Sequence, residues 1–134
     1  MMIFYDRDRD YAEVFFKKEA NYGESLTKLV MAFKSEKNDK VVGYGFENAS
    51  RTLFDDLISP SAKLAALLKI IRSKENLTQE QAAGKIGSIT FRHYQRLESG
   101  EENPTLETIE TIMEAFPKAD FSVILKHASK AVGA

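Results

Sequence analysis

Several groups of residues in this chain have types and spacings that chemistry could use. Asp6, Asp8 and Asp10 repeat the first three carboxylates of a calcium-binding loop. The later positions fail, because Tyr11 stands where the sharp turn needs glycine and Lys17 where a bidentate glutamate closes the shell. The expectation is a solvated turn in which Arg7 and Arg9 offset the acids. His93 and His127 are the only histidines, and neither has a second ligand at helical spacing, so no metal site is expected. Gly43-Tyr44-Gly45 lacks the third glycine and the following helix of a dinucleotide cradle, and reads as strand glycines near a bend. Ser88 and His93 have no evident acid to orient them, so the chain is expected not to be an enzyme and to need no cofactor. What is left is a pair of cations, Arg92 and Arg96, in a stretch with few acids before Glu98. Local positive charge of that kind attracts a polyanion.

Two short helices and a turn must hold those arginines. Thr78 is an N-cap with Gln81 three residues later, a capping box that opens a helix through Ala82, Ala83 and Ile86. Gly87 stops it. Thr90 caps a second helix in which Tyr94, Leu97 and the alkyl part of Glu98 recur at helical spacing until Ser99-Gly100 ends it. Two helices joined by a few residues including glycine form a helix-turn-helix. An apolar stripe of Leu64, Leu67, Leu68 and Ile71 precedes the motif, and one of Leu106, Ile109, Ile112, Met113 and Phe116 follows it. Phe121, Ile124, Leu125, Ala128, Ala131 and Val132 predict a last helix, with a stripe wide enough to meet a second subunit.

From Leu77 to Leu106 the order Leu77-Thr78-Gln79-Glu80, Ala83, Ile86-Gly87, Tyr94, Leu97-Glu98-Ser99-Gly100 and Asn103-Pro104-Thr105-Leu106 resembles the helix-turn-helix of the Cro and phage-repressor type. That XRE-like family also includes many bacterial regulators and antitoxins. Ser88-Ile89 makes the turn one residue longer than the family's usual form. The resemblance implies an all-α, five-helix, lambda-repressor-like domain whose second motif helix enters the major groove of double-stranded DNA. Counted by motif position from the cap Thr90, the DNA-binding candidates are Thr90, Phe91, Arg92, Gln95 and Arg96, since Tyr94 and Leu97 must face the core. Arg92 and Arg96 would each grip a guanine, Gln95 an adenine, and Phe91 would rest on a thymine methyl. Gln79 matches the family's phosphate-binding position, helped by the helix N-terminus, and His93 would lie near phosphate.

The 134 residues, 43% hydrophobic and 29% charged, suffice for one domain or two small ones with a buried core. A net charge of −1 gives no general attraction to nucleic acid, and residues 61–117 carry seven Lys/Arg against eight Asp/Glu. Recognition would therefore rest on where charge lies. There is no cysteine, no apolar run near the roughly 18 residues of a membrane span, and no basic-then-apolar start. A cytoplasmic protein without membrane contact is expected.

Residues 1–58 have a different texture. Ile3-Phe4-Tyr5 and Tyr11 to Lys17 read as strands around the Asp6–Asp10 turn. Leu26 to Phe33, whose Leu29-Val30-Met31 fits a helix as well, and Val41 to Phe46 read as two more, with Lys34 to Lys40 as the turn between them and Val42, Tyr44 and Phe46 on one face. Ala49, Leu53, Leu57 and Ile58 predict a helix that closes the sheet. Tyr5-Asp6 with Asp10-Tyr11, and Val41-Val42-Gly43, resemble an uncharacterised family of small β-rich bacterial domains, which implies no activity. Ser59-Pro60-Ser61 marks the boundary. The expected class is α+β: a small N-terminal antiparallel sheet with one helix over 1–58, a sensor or interaction domain, followed by the helix-turn-helix domain over 61–134. The expected function is a repressor-type regulator binding operator DNA as a homodimer. The alternative is an antitoxin that covers a cognate toxin and autoregulates its operon.

Overall fold

The computed structural model describes residues 1–52 and 57–122. The chain divides into two compact units, Met1–Leu57 and Ile58–Ala134, and is α+β.

The first unit is a five-stranded, wholly antiparallel sheet of β1 (Met2–Asp6), β2 (Tyr11–Phe15), β3 (Asn21–Ser25), β4 (Val30–Ser35) and β5 (Val41–Phe46), in the order β1-β2-β5-β4-β3. One face carries the core: Ala12, Val14, Val30, Ala32, Val42 and Phe46 are all buried. Register explains the grouping, because Ala12 and Val30 both lie opposite Phe46. On the other face Phe15 and Phe33 stack at 5.0 Å between centroids. The glycines of β5 make room for that face. A Cβ on Gly43 would lie 2.6 Å from the Val14 carbonyl oxygen and 2.7 Å from the Phe15 ring, and one on Gly45 would lie 2.5 Å from the Tyr11 hydroxyl. Gly43 pairs with Phe33, where β4 bulges, which is the bend its sequence suggested.

The run Leu26 to Phe33 is not one strand. Thr27 Oγ1 accepts from the amides of Leu29 and Val30, and the amides of Leu26 and Thr27 both donate to the Val30 carbonyl, so the chain turns there. The strand preceding that turn, β3, went unread because it is an edge strand exposed along most of its length, with no apolar alternation. Lys34 and Ser35, expected in a turn, end β4, and Ser35 is fully buried.

The Asp6–Asp10 turn holds its own carboxylates. Asp6 accepts from the amides of Asp8 and Arg9, and Asp10 accepts from the Tyr5 hydroxyl at 2.7 Å and from the amide and hydroxyl of Ser50. No three acidic or histidine groups converge among the described residues. Ser50 belongs to α1 (Ala49–Thr52), whose first amide donates to the Asp10 carbonyl, so the β1–β2 turn fastens the start of that helix. Of the helix expected onward to Ile58, residues 53–56 lie outside the described residues, and Leu57 and Ile58 are not helical.

The second unit contains α2 (Pro60–Lys74), α3 (Gln79–Ile86), α4 (Phe91–Ser99) and α5 (Leu106–Ala115) among its described residues. Ser59 caps α2 through the Ala62 amide, with Pro60 in the first turn, where its missing N–H costs nothing. Leu64, Leu67, Leu68 and Ile71 are buried, with Ala82, Ala83, Ile86, Tyr94, Leu97, Ile112 and Phe116. Leu106 is not: it is 78% exposed. It is the first residue of α5, a turn and more before the buried Ile112. The helix expected over Phe121 to Val132 lies outside the described residues except for Phe121, which is buried, and Ser122. Among the described residues no helix is long and apolar enough to cross a membrane.

Candidate nucleic-acid interface

Local sequence fixes the two motif helices at both ends. Thr78 Oγ1 accepts from the Gln81 amide at 3.1 Å while Gln81 Oε1 accepts from the Thr78 amide at 2.9 Å, a complete capping box. Gly87, at φ 84°, ends α3, and the chain turns through Ser88 and Ile89 to Thr90. Thr90 Oγ1 accepts from the His93 amide at 3.0 Å, opening α4, and Gly100, at φ 77°, closes it in the left-handed region.

The result is a helix with two unlike faces. Tyr94 and Leu97 are buried, whereas Thr90, Phe91, Arg92, Gln95 and Arg96 are exposed. The Arg92 side chain makes no hydrogen bond or ion pair among the described residues. Gln95 and Gln79 come together: Gln95 Nε2 donates to Gln79 Oε1 at 3.3 Å, and Gln79 Nε2 donates to Glu98 Oε1 at 3.3 Å. Gln79 and Phe91 also share the lining of an open groove with Arg72, Thr78 and Glu80. The first and last members of the predicted set are thus held differently, since Arg96 turns its Nε toward Glu102 Oε2, 3.4 Å away.

The anchor of this arrangement is Glu98, which sequence reasoning had assigned only an alkyl role. Its carboxylate is buried and takes two bonds from Arg72 of α2. The hydrogen bond to Glu98 raises the Arg72 guanidinium's affinity for its proton. Tyr94 lies in the same electrostatic neighbourhood, and burial, then the Glu98 charge, pushes its phenol far above the ordinary range. The available signal was an acid one turn from Tyr94 on the buried face, which demands a cation from a neighbouring helix. Glu102 was missed as well. It lies beyond the Gly100 turn, where no periodic rule connects it to Arg96 or to His93, whose Nε2 is 3.3 Å from its Oε2. His93 is half-buried against this carboxylate rather than freely displayed.

Comparison with known proteins places this geometry. Residues 68–120 match the Helix-turn-helix family model, the XRE-like family of the Cro and phage-repressor type. The matched segment begins within α2, takes in α3, the turn, α4 and α5, and excludes the whole sheet. Neither the curated proteins nor the solved structures gave a match.

Proposed function

We propose that the chain is a DNA-binding regulator of repressor type, cytoplasmic, which reads operator DNA as a homodimer through the exposed face of α4. One observation carries this reading: a helix-turn-helix segment whose second helix buries Tyr94 and Leu97 and leaves Phe91, Arg92, Gln95 and Arg96 together at the surface. Side chains at the start of such a helix reach base edges in the major groove. Arg92 and Arg96 serve guanines by paired N–H donors, Gln95 serves an adenine, and Phe91 rests on a thymine methyl. The bond from Gln95 to Gln79 leaves Gln95 its carbonyl and one N–H, the pair adenine needs. Gln79 retains an N–H of its own for a backbone phosphate, and Thr90, whose oxygen caps α4, retains its hydroxyl proton for another. A dimer would span half-sites about 34 Å apart.

Binding-site selection with the purified full chain, followed by footprinting, tests the reading. An enriched, protected sequence is the expected result, and no DNA retained above background at low salt would end it.

The antitoxin alternative is favoured by one feature of the sheet unit. Phe4 is 56% exposed, Met2 48% and Phe16 41%, which suits a protein partner better than bare solvent. A toxin-like gene beside this one, and a stable complex between the two products, would decide for it.

A further inference from the structure

We propose that Glu102 is a specificity-determining residue, acting as a built-in counter-ion for Arg96. The inference rests on the reading of α4 as the DNA-contacting helix. Glu102 lies in the loop between α4 and α5, with Oε2 3.4 Å from Arg96 Nε and 3.3 Å from His93 Nε2. That oxygen is sealed from solvent and makes no hydrogen bond among the described residues. Both contacts miss hydrogen-bond geometry, so charge alone holds the group. Arg96, whose guanidinium is always charged, is the standing cation of the group. The Glu102 and Arg96 side chains as wholes are 34% and 53% exposed.

The physical consequence is selective. At the distance of a passing phosphate, an adjacent acid cancels much of the Arg96 field, so Arg96 adds little to sequence-independent attraction. At contact with a guanine edge the balance differs, because the base offers two aligned acceptors, whereas Glu102 turns one oxygen toward Arg96 without a hydrogen bond. Recognition then outcompetes the internal pair where loose attraction fails to. Arg92, with no partner among the described residues, keeps its full charge for the encounter.

The test compares the wild type, E102Q, R96Q and E102Q/R96Q as full chains, titrated with a selected operator and with random-sequence duplex across a range of salt. E102Q should bind random duplex about fivefold more tightly at low salt. Its dependence of log K on log salt should steepen by roughly 0.9, the value of one further phosphate. The operator should gain less, and the double variant should behave as R96Q does. In unbound protein, the Arg96 Nε–H resonance should move on E102Q. Unchanged binding of both duplexes by E102Q, a loss confined to the operator, or a gain that persists beside R96Q overturns the proposal. If neither wild type nor E102Q binds either duplex at low salt, the DNA-binding reading itself falls and takes this one with it. Wild-type binding that is indifferent to E102Q removes the counter-ion alone.

Discussion

Arg72 and Glu98 meet in a two-point ion pair, Nε to Oε2 at 3.0 Å and Nη2 to Oε1 at 2.7 Å, and the same guanidinium donates to the Leu77 carbonyl at 3.2 Å. One side chain of α2 thereby fixes both α4 and the residue that leads into α3. The Glu98 side chain is only 4% exposed, so removing its cation strands a charge away from water. Arg72→Met should therefore destabilise the helical unit by about 3 kcal/mol, and adding Glu98→Leu to that variant should recover much of the loss. Denaturant unfolding followed at amide resonances of this unit measures both.

High pH gives a second check. Burial raises the Tyr94 phenol far above its ordinary value, so the folded state holds a proton that the unfolded chain releases near pH 10. Stability should be intact below that point and fall by about 1.4 kcal/mol per pH unit above it. Tyrosinate absorbance during alkaline unfolding reports the event, and Tyr94→Phe should flatten the decline in the helical unit.

Under the proposed reading of α4, Arg92 and Gln79 should separate in a binding assay. Arg92→Ala should cost about 1–3 kcal/mol on the operator and relax preference at one base pair. Gln79→Ala should weaken all sequences alike, apart from a selective loss at the base pair served by Gln95, which it orients. Equal binding by wild type and Arg92→Ala would refute the contact assignment.

Gly43 and Gly45 differ in what would resist a methyl group. At Gly43 the obstacle is the Val14 backbone carbonyl, which cannot turn aside, whereas at Gly45 it is the Tyr11 hydroxyl at the end of a side chain. Gly43→Ala should cost about 3 kcal/mol in the sheet unit and Gly45→Ala about 1 kcal/mol, the latter with loss of the Tyr11 to Glu13 bond. Thermal unfolding of the two variants ranks them.

The helix-turn-helix was legible because its signals are local. Thr78, Gln81, Gly87, Thr90 and Gly100 each act within a turn of where they stand, and all five do what their types predict. The sheet was read less completely. β3 carries little apolar pattern, and it joins β4 through a turn held by the Thr27 hydroxyl and by backbone bonds to the Val30 carbonyl. On α4, exposure of Arg92, Gln95 and Arg96 followed from the burial of Tyr94 and Leu97. The partners Glu98 and Glu102 did not, since pairing across helices and loops depends on tertiary placement that spacing does not encode.

The sheet order β1-β2-β5-β4-β3 also sets a clock. Hairpins β1–β2, β3–β4 and β4–β5 each join neighbours in sequence, but the contact of β2 with β5 brings Ala12 to Phe46 across the two intervening strands. Closing that seam loses the entropy of a long loop before any pairing compensates, while the caps that open and close α3 and α4 form between residues within a turn of one another. In refolding of the full chain the two motif helices are therefore expected to form first, with the sheet following as the slower phase.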